Sequence, residues 1–558
     1  MTFDLSSIYQ KPNYWLPTHI EYEGQGRAEF QDPKGSAWGH TKVFFDEFNE
    51  YIVEMQVEDI ASDQPLPLGL HQLLSGDKPI VEKGKITLGL MPSKNNLCTQ
   101  LLVETPDGNF IAENIEFLSP TFGWNADTGT KETIRFYPHK SRFDAKNLNP
   151  AKYWVLPLIN FVSKFMEYDP NLANHPLRIY PDAIIPSDIP EDKRQTAEYV
   201  AIQKSRLILF EFNDARGFIE ALPDYDEKEK QLLGRQIPSA ITSAMVGEIG
   251  DNPIDLDKIE QWFPFYLLDL LALAIGNEIA IPWIEFRDKN GDLVRRAHGS
   301  LSFGRSLFIK GAKAIDEAIH RGIGRLLTIS QSCTELRESY FQVALRHTIL
   351  GGRNGQSIED KLDHLCRGLD ALCEQHKLAQ QHLLKYTSLT DKEVIQKAIK
   401  QTESIILSIA KAADSAGDTA QSRYLQTVMG RLGNVTNQDR KFGLAICDLL
   451  KKFNLPDADI LDNYFSKNPR KDGFNKWTDL VSHYRGRVIH IGYFNFKTNE
   501  HEFDNIWTVT QHLHDILLRI ILTILGYDGE YQPTVSRFTE KQPLDWVKPD
   551  TPADRLRY

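Results

Sequence analysis

Apolar residues in the first ~125 positions come in short runs separated by polar turns, the pattern of strands rather than helices. His19–Glu23, Lys42–Phe45 and Tyr51–Val57 are such runs, rich in β-branched and aromatic side chains. Leu101–Thr105 and Asn109–Glu113 flank Pro106-Asp107-Gly108, which is hairpin chemistry with Gly108 expected at positive φ. A sandwich or a curled sheet is the expected result. Between residues ~126 and 310 the periods mix. Tyr153–Tyr168 reads as an apolar helix and Arg206–Phe212 as a buried strand. Leu256–Gly276 reads as a helix with a kink or break at Pro264, ended by Gly276. Ile279–Phe286 and Leu293–Arg296 read as a hairpin around Asp288–Asp292.

From ~311 the pattern becomes helical. Thr390 with Glu393 forms a capping box opening a helix to about Ala413. Asp504–Leu525 places Ile506, Val509, Leu513, Ile516, Ile520 and Ile524 on one stripe, closed by Gly526. The class is α+β, in three segments: 1–125 β-rich and sandwich-like, 126–310 mixed and continuing that module, and 311–558 all-α.

A net charge of -12 over 558 residues argues against coating nucleic acid through bulk charge. It leaves room for a local basic site, because screening reaches only about 10 Å. Met1–Gln10 shows no basic region followed by an apolar one, so no signal peptide is expected. The most apolar stretches, Trp262–Ile275 and Ile516–Leu525, are shorter than the ~20 residues a membrane span needs. The five cysteines, at 98, 333, 366, 373 and 447, never form a C-x-x-C pair. A soluble chain in the reducing cytoplasm follows, with neither a disulfide framework nor a structural metal site.

The segment Tyr484-Arg485-Gly486-Arg487-Val488-Ile489-His490-Ile491-Gly492-Tyr493 carries the candidate chemistry. Phe474, Trp477, Val481, Tyr484 and Val488 share one helical face, with Arg485 at its edge. On an unbroken helix His490 lies about 140° round the axis and ~7.5 Å along it from Arg485. Either the helix ends before His490, or the working site combines two protomers. RNA brings its own nucleophile, the 2′-hydroxyl, so its cleavage needs no metal. It needs a group titrating near neutrality, as histidine does, and a fixed planar cation at the phosphate, as arginine provides. Between Ser466 and Lys497 the basic residues Lys467, Arg470, Lys471, Lys476, Arg485, Arg487 and Lys497 outnumber Asp472 and Asp479. Trp477, Tyr484, Tyr493 and Phe494 lie among them, suited to stacking on unpaired bases. Lys476, Arg487 and Tyr493 are the candidate RNA-binding residues.

The Arg-x4-His motif, followed by one long apolar helix, resembles the HEPN superfamily of ribonucleases. Leu369-Asp370-Ala371-Leu372 resembles the acidic-Ala-Leu pattern of an earlier core helix in that family. The resemblance covers roughly residues 335–527, and the β-containing front makes the chain similar to the abortive-infection, ApeA-like branch. It implies an all-α HEPN-type bundle, a homodimer whose two motifs line one cleft, and an RNA substrate such as tRNA. It also implies a role in anti-phage defence with an unknown phage-derived trigger. By position it makes Arg485 and His490 the catalytic pair, with Asp370 a candidate to orient Arg485, and it implies no cofactor. Two residues depart from the pattern. Gly486 stands where a polar residue is usual, and Tyr493 lies three residues after the histidine rather than two. The competing reading is a scaffold that dimerises and binds nucleotide or a partner without cutting.

Other patterns carry less. Pro181-Asp182 with Glu191-Asp192-Lys193 only superficially matches a metal-dependent nuclease, since Pro186 and Pro190 interrupt the strands it needs. Asp288–Asp292 reads as a turn and Gly351–Gly355 as an inter-helix loop. His364, His376 and His382 fit no common metal spacing, and His512 and His514 do not share a helix face.

Overall fold

The computed structural model describes residues 20–31, 34–45, 51–62, 97–117, 133–168, 205–212, 215–249, 256–298, 307–315, 317, 322–376, 389–433, 442–455, 477–494, 500–527, 529, 531–532 and 534. The chain divides into two compact units at Ser332/Cys333. The first is built on an antiparallel sheet and the second is helical, an α+β protein.

Among the described residues thirteen strands form one sheet: β1 (Ile20–Gln31), β2 (Lys34–Phe45), β3 (Tyr51–Ser62), β4 (Leu97–Glu104), β5 (Gly108–Phe117), β6 (Thr133–Ala145), β7 (Tyr153–Ile159), β8 (Met166–Tyr168), β9 (Ser205–Phe212), β10 (Ala215–Ala221), β11 (Ile241–Glu248), β12 (Trp283–Arg287) and β13 (Leu293–His298). Their order is β3-β2-β1-β4-β5-β6-β13-β12-β7-β11-β10-β9-β8, with a further pairing of β3 to β6. That extra pairing closes the first six strands on themselves. In place of a sandwich confined to the first 125 residues, the strands form a six-stranded barrel, closed by Thr133–Phe136 of β6, from which seven more strands extend. Alternate residues point inward. Tyr22, Ala28, Val43, Phe45, Val53, Met55, Leu101, Val103, Phe110 and Phe143 fill the interior.

β6 holds both parts. Thr133–Phe136 pairs with β3 to close the barrel, and Ser141–Asp144 pairs with β13 to carry the sheet onward. At this junction lies a buried polar network. Glu285 on β12 accepts from Arg287 Nε at 2.7 Å, Arg296 Nε at 2.8 Å and Trp283 Nε1 at 3.1 Å. Arg296 Nη1 donates to the Tyr22 hydroxyl at 3.0 Å, and that hydroxyl meets His298 Nε2 at 3.0 Å. Burial pushes the Tyr22 phenol up to about 12, and burial beside Arg296 holds the His298 imidazole well below its usual value. A neutral His298 accepting at Nε2 from Tyr22 satisfies both. Burial alone would raise the Glu285 carboxyl, but Arg287 and Arg296 outweigh it and hold it below the ordinary value.

Several expectations change. Tyr153–Tyr168 is not a helix: its first part is β7, buried between β12 and β11, and Met166–Tyr168 is β8. A strand shielded on both faces shows a continuous apolar run that periodicity cannot tell from a buried helix. Gly108 is not among the residues at positive φ. Its glycine is needed for space, since a Cβ there would come within 2.3 Å of the Asp144 carbonyl oxygen. Asp288 forms the expected turn, its Oδ1 accepting from the amides of Asn290 and Asp292 at 2.8 and 3.0 Å. Pro181–Lys193 lies outside the described residues.

The sheet unit also carries helices α1 (Tyr225–Leu233), α2 (Leu256–Ile275) and α3 (Gly322–Ser330). Gly276, at φ 69, ends α2. α3 lies beyond the composition change at ~311 yet belongs to the sheet. Its Gly324 sits where a Cβ would come 2.1 Å from the Leu209 carbonyl oxygen, and Thr328 Oγ1 accepts from the Glu211 amide at 3.0 Å.

The helical unit comprises α4 (Ser339–Gly351), α5 (Ile358–Gln375), α6 (Leu389–Ser415), α7 (Thr419–Gly433), α8 (Phe442–Lys452), α9 (Trp477–Ile491) and α10 (Glu500–Ile524). α5 is the hub, touching α4, α8, α9 and α10, while α6 and α7 pack mainly on each other. Ser357 caps α5, its hydroxyl accepting from the Asp360 amide. α6 opens at Leu389, and the Thr390 and Glu393 side chains lie outside the described residues. Ile506, Val509, Leu513, Ile516 and Ile520 of α10 are buried as their stripe predicts, and Gly526 follows at φ 75. No helix among the described residues is long and apolar enough to cross a membrane.

Replacing Glu285 by Gln removes the carboxylate that two buried guanidinium groups share. A loss of about 3–5 kcal/mol is expected, measured by urea unfolding of the full chain. Because the folded carboxyl titrates below its unfolded value, wild-type Glu285 stabilises above the unfolded value. That contribution fades as pH falls through the folded one, so the variant's acid limb should be shallower.

Candidate active site

The site is assembled from α5, α8 and α9. Trp477, Val481, Tyr484 and Val488 form the buried face of α9. Phe474 lies outside the described residues. α9 approaches α8 closely because Gly443 has no side chain: a Cβ there would come 2.2 Å from the Thr478 carbonyl oxygen. The Gly443 amide donates to Ser482 Oγ at 3.0 Å across the same contact.

This packing leaves Arg485 at the rim of the buried face, a third exposed. Its Nε and Nη2 donate to Asp370 Oδ2 on α5 at 3.2 and 2.8 Å. Its guanidinium carbon lies 4.8 Å from the ring centroid of Phe442, the first residue of α8. A carboxylate and an aromatic face therefore fix the arginine from two sides, leaving Nη1 with no hydrogen-bond partner among the described residues. Burial pushes the Asp370 carboxyl above its ordinary value, and Arg485 pulls against that shift. Beneath it, burial pushes the Cys366 thiol up, so the thiol is an inert core group.

The helix does not end before His490. α9 runs through Ile491, and Gly492, at φ 81, closes it with its amide directed at the carbonyls of Arg487 and Val488. Only after that left-handed residue can the chain leave the axis. Positions 485 and 490 are consequently five residues apart on one continuous helix, about 140° round it. The first of the two alternatives for bringing them together is removed. The His490 side chain and Lys476 lie outside the described residues.

Beyond the helix, Phe494 turns back onto the bundle. Its amide donates to Glu359 Oε1 at 3.0 Å, its ring meets Tyr484 edge-on at 5.8 Å, and the Arg487 guanidinium sits 5.1 Å from its centroid. Tyr493, the residue before Phe494, is left 61% exposed, so an aromatic side chain and the Arg487 guanidinium border this helix end. Phe442 and Glu359 carry no motif and stand far from Arg485 in sequence; position at a helix start was the only signal either offered.

Of the other histidines, His347 and His364 approach through their Nδ1 atoms at 3.1 Å, and burial holds both imidazoles below their usual value. His512 is buried against Trp477 and lowered to about 3 by burial and by Arg519. His382 lies outside the described residues. Among the described residues no three His, Cys, Asp or Glu side chains gather as a metal ion would require. Compared with family models, curated proteins and solved structures, the chain matches none.

Gly486 lies within α9, and a Cβ there meets nothing within 4 Å. Gly486→Ala should therefore stabilise the helical unit by up to about 1 kcal/mol, the helix-propensity difference, read as a raised urea midpoint.

Proposed function

We propose that the helical unit is a metal-independent endoribonuclease of the HEPN type, with Arg485 and His490 as its catalytic pair. The observation that carries this reading is the clamp on Arg485. Asp370 and Phe442 hold a guanidinium that is a third exposed, on the helix that also bears Arg487 and His490. Such an arginine suits a phosphate oxygen as negative charge develops on it. His490 takes the proton from the 2′-hydroxyl and returns one to the leaving 5′-oxygen. The adjacent 2′-oxygen attacks phosphorus, the P–O5′ bond breaks, and a 2′,3′-cyclic phosphate remains. Because one continuous helix separates positions 485 and 490, the arginine of one protomer works with the histidine of its partner in a homodimer. Arg487 positions the backbone, and Tyr493 stacks on an unpaired base, with Lys476 adding charge. The substrate is structured cellular RNA such as tRNA. The setting is the cytoplasm under phage attack, where the sheet unit restrains the nuclease until a phage-derived trigger releases it.

A second reading, a helical scaffold that dimerises and binds nucleotide or a protein partner without cutting, draws on two observations. Gly486 brings no polar side chain to the motif, and the unbroken helix parts its two residues.

Purified wild type and His490→Ala, incubated with total RNA and with tRNA in EDTA, separate the readings. The enzyme predicts cyclic-phosphate ends from wild type alone, with a loss of at least ~100-fold in the variant. RNA left intact by both, with both folded and dimeric, favours the scaffold. Asp370→Asn should leave the dimer intact and lower cleavage by roughly 10- to 100-fold, because it frees the arginine that Asp370 orients.

A further inference from the structure

The α6–α7 hairpin presents a surface that the catalytic reading does not use. Among the described side chains of α6, those least exposed to solvent are Ile399, Glu403, Ile406, Ala410 and Ala413, spaced 4, 3, 4 and 3 apart. This is the seam of a helix packed along one neighbour, and α7 is that neighbour. One residue earlier in each case runs a second set with the same spacing: Ala398, Thr402, Ile405, Ile409 and Ala412. All five are exposed, Ile405 by 60% and Ile409 by 47%, and Val394 extends the row at 61%. On α7, Tyr424 is 68% exposed.

Two heptad seams about 100° apart on one helix are the mark of a helix with two helical neighbours, as in a four-helix bundle. Among the described residues the chain supplies one of them. We propose that the second seam of α6 is a homodimerisation surface, occupied by the α6–α7 hairpin of a second copy of this chain, so that two hairpins make one four-helix bundle. A second copy fits because the 4-3 spacing asks for a helix with the same spacing, and a two-fold pairing brings such a seam onto itself. The available area agrees. α6 has 27 residues and α7 has 15, about 40 Å and 22 Å at 1.5 Å per residue. With helices ~10 Å apart the shared face covers roughly 600 Å² per copy, or about 1,200 Å² in all, the lower bound of a stable interface. Isolated two-helix hairpins are marginal in water, so association also accounts for how a hairpin packed mainly on itself stays helical. The inference rests on packing alone; the pairing of protomers across the catalytic cleft is a separate contact, which the seam variants below leave unchanged, so the two are told apart by their response to those variants.

Sedimentation equilibrium of the full-length chain tests it. Wild type should dimerise at micromolar concentration. Ile405→Lys with Ile409→Lys, both at exposed positions, should weaken the dimer at least ~100-fold by placing four charges in the seam of each pair. Thr402→Leu fills the one polar position of the seam and should tighten the dimer about 5- to 10-fold, a gain that misfolding cannot mimic. A wild-type chain that stays monomeric at ~100 µM overturns the proposal, as does a dimer whose strength neither variant changes.

Discussion

The sheet unit depends on one strand serving two partners along the same edge. β6 gives one end to β3, closing the barrel, and the other to β13, which begins the open sheet. Such a fork would leave the polar groups between the branches without water. The network of Glu285, Arg287, Arg296, Tyr22 and His298 sits there and pairs them with one another. Two guanidinium groups against one carboxylate would carry a large desolvation cost with poor geometry. Short hydrogen bonds to both carboxylate oxygens, and a phenol taking the remaining donor, offset it. Stacking of Tyr22 on Phe143 at 4.4 Å and of His298 on Phe45 at 3.7 Å joins this polar knot to the barrel's apolar filling.

The helical unit follows a different logic, in which close approach is set by glycine and orientation by charge. Gly443 lets α8 meet the backbone of α9, bringing Phe442 under Arg485. Asp370, 115 positions away in sequence, then meets the same guanidinium from α5. Neither contact would survive a rotation of α9, and its buried face of Trp477, Val481, Tyr484 and Val488 opposes one.

Much of this was legible in the sequence, and the misreadings share a cause. The amphipathic elements, α10 above all, could be placed because half their surface faces water and so leaves a period. β7 left none: Trp154–Ile159 is buried throughout, and a wholly apolar run does not say which backbone it belongs to. The helical α3 could be recognised as helix but not as part of the sheet unit, because what places it there is a tight fit at Gly324. In the site, Arg485 stood out through its basic and aromatic surroundings, and Asp370 through a family pattern. Phe442 and Glu359 act only through the tertiary arrangement, which no spacing encodes.

Barrel closure also limits how the sheet unit can recognise anything. An open sheet ordinarily has two terminal strands, and each can accept an extended segment from another molecule as an added strand. Among the described residues one terminus is partly taken up, Val53–Gln56 of β3 pairing with β6, and the other is β8, three residues long. Capture of a foreign peptide by strand addition at that short strand would gain only a few backbone hydrogen bonds. Closure of the barrel thus shortens the edge that strand addition could use at β3, as the brevity of β8 does at the other terminus.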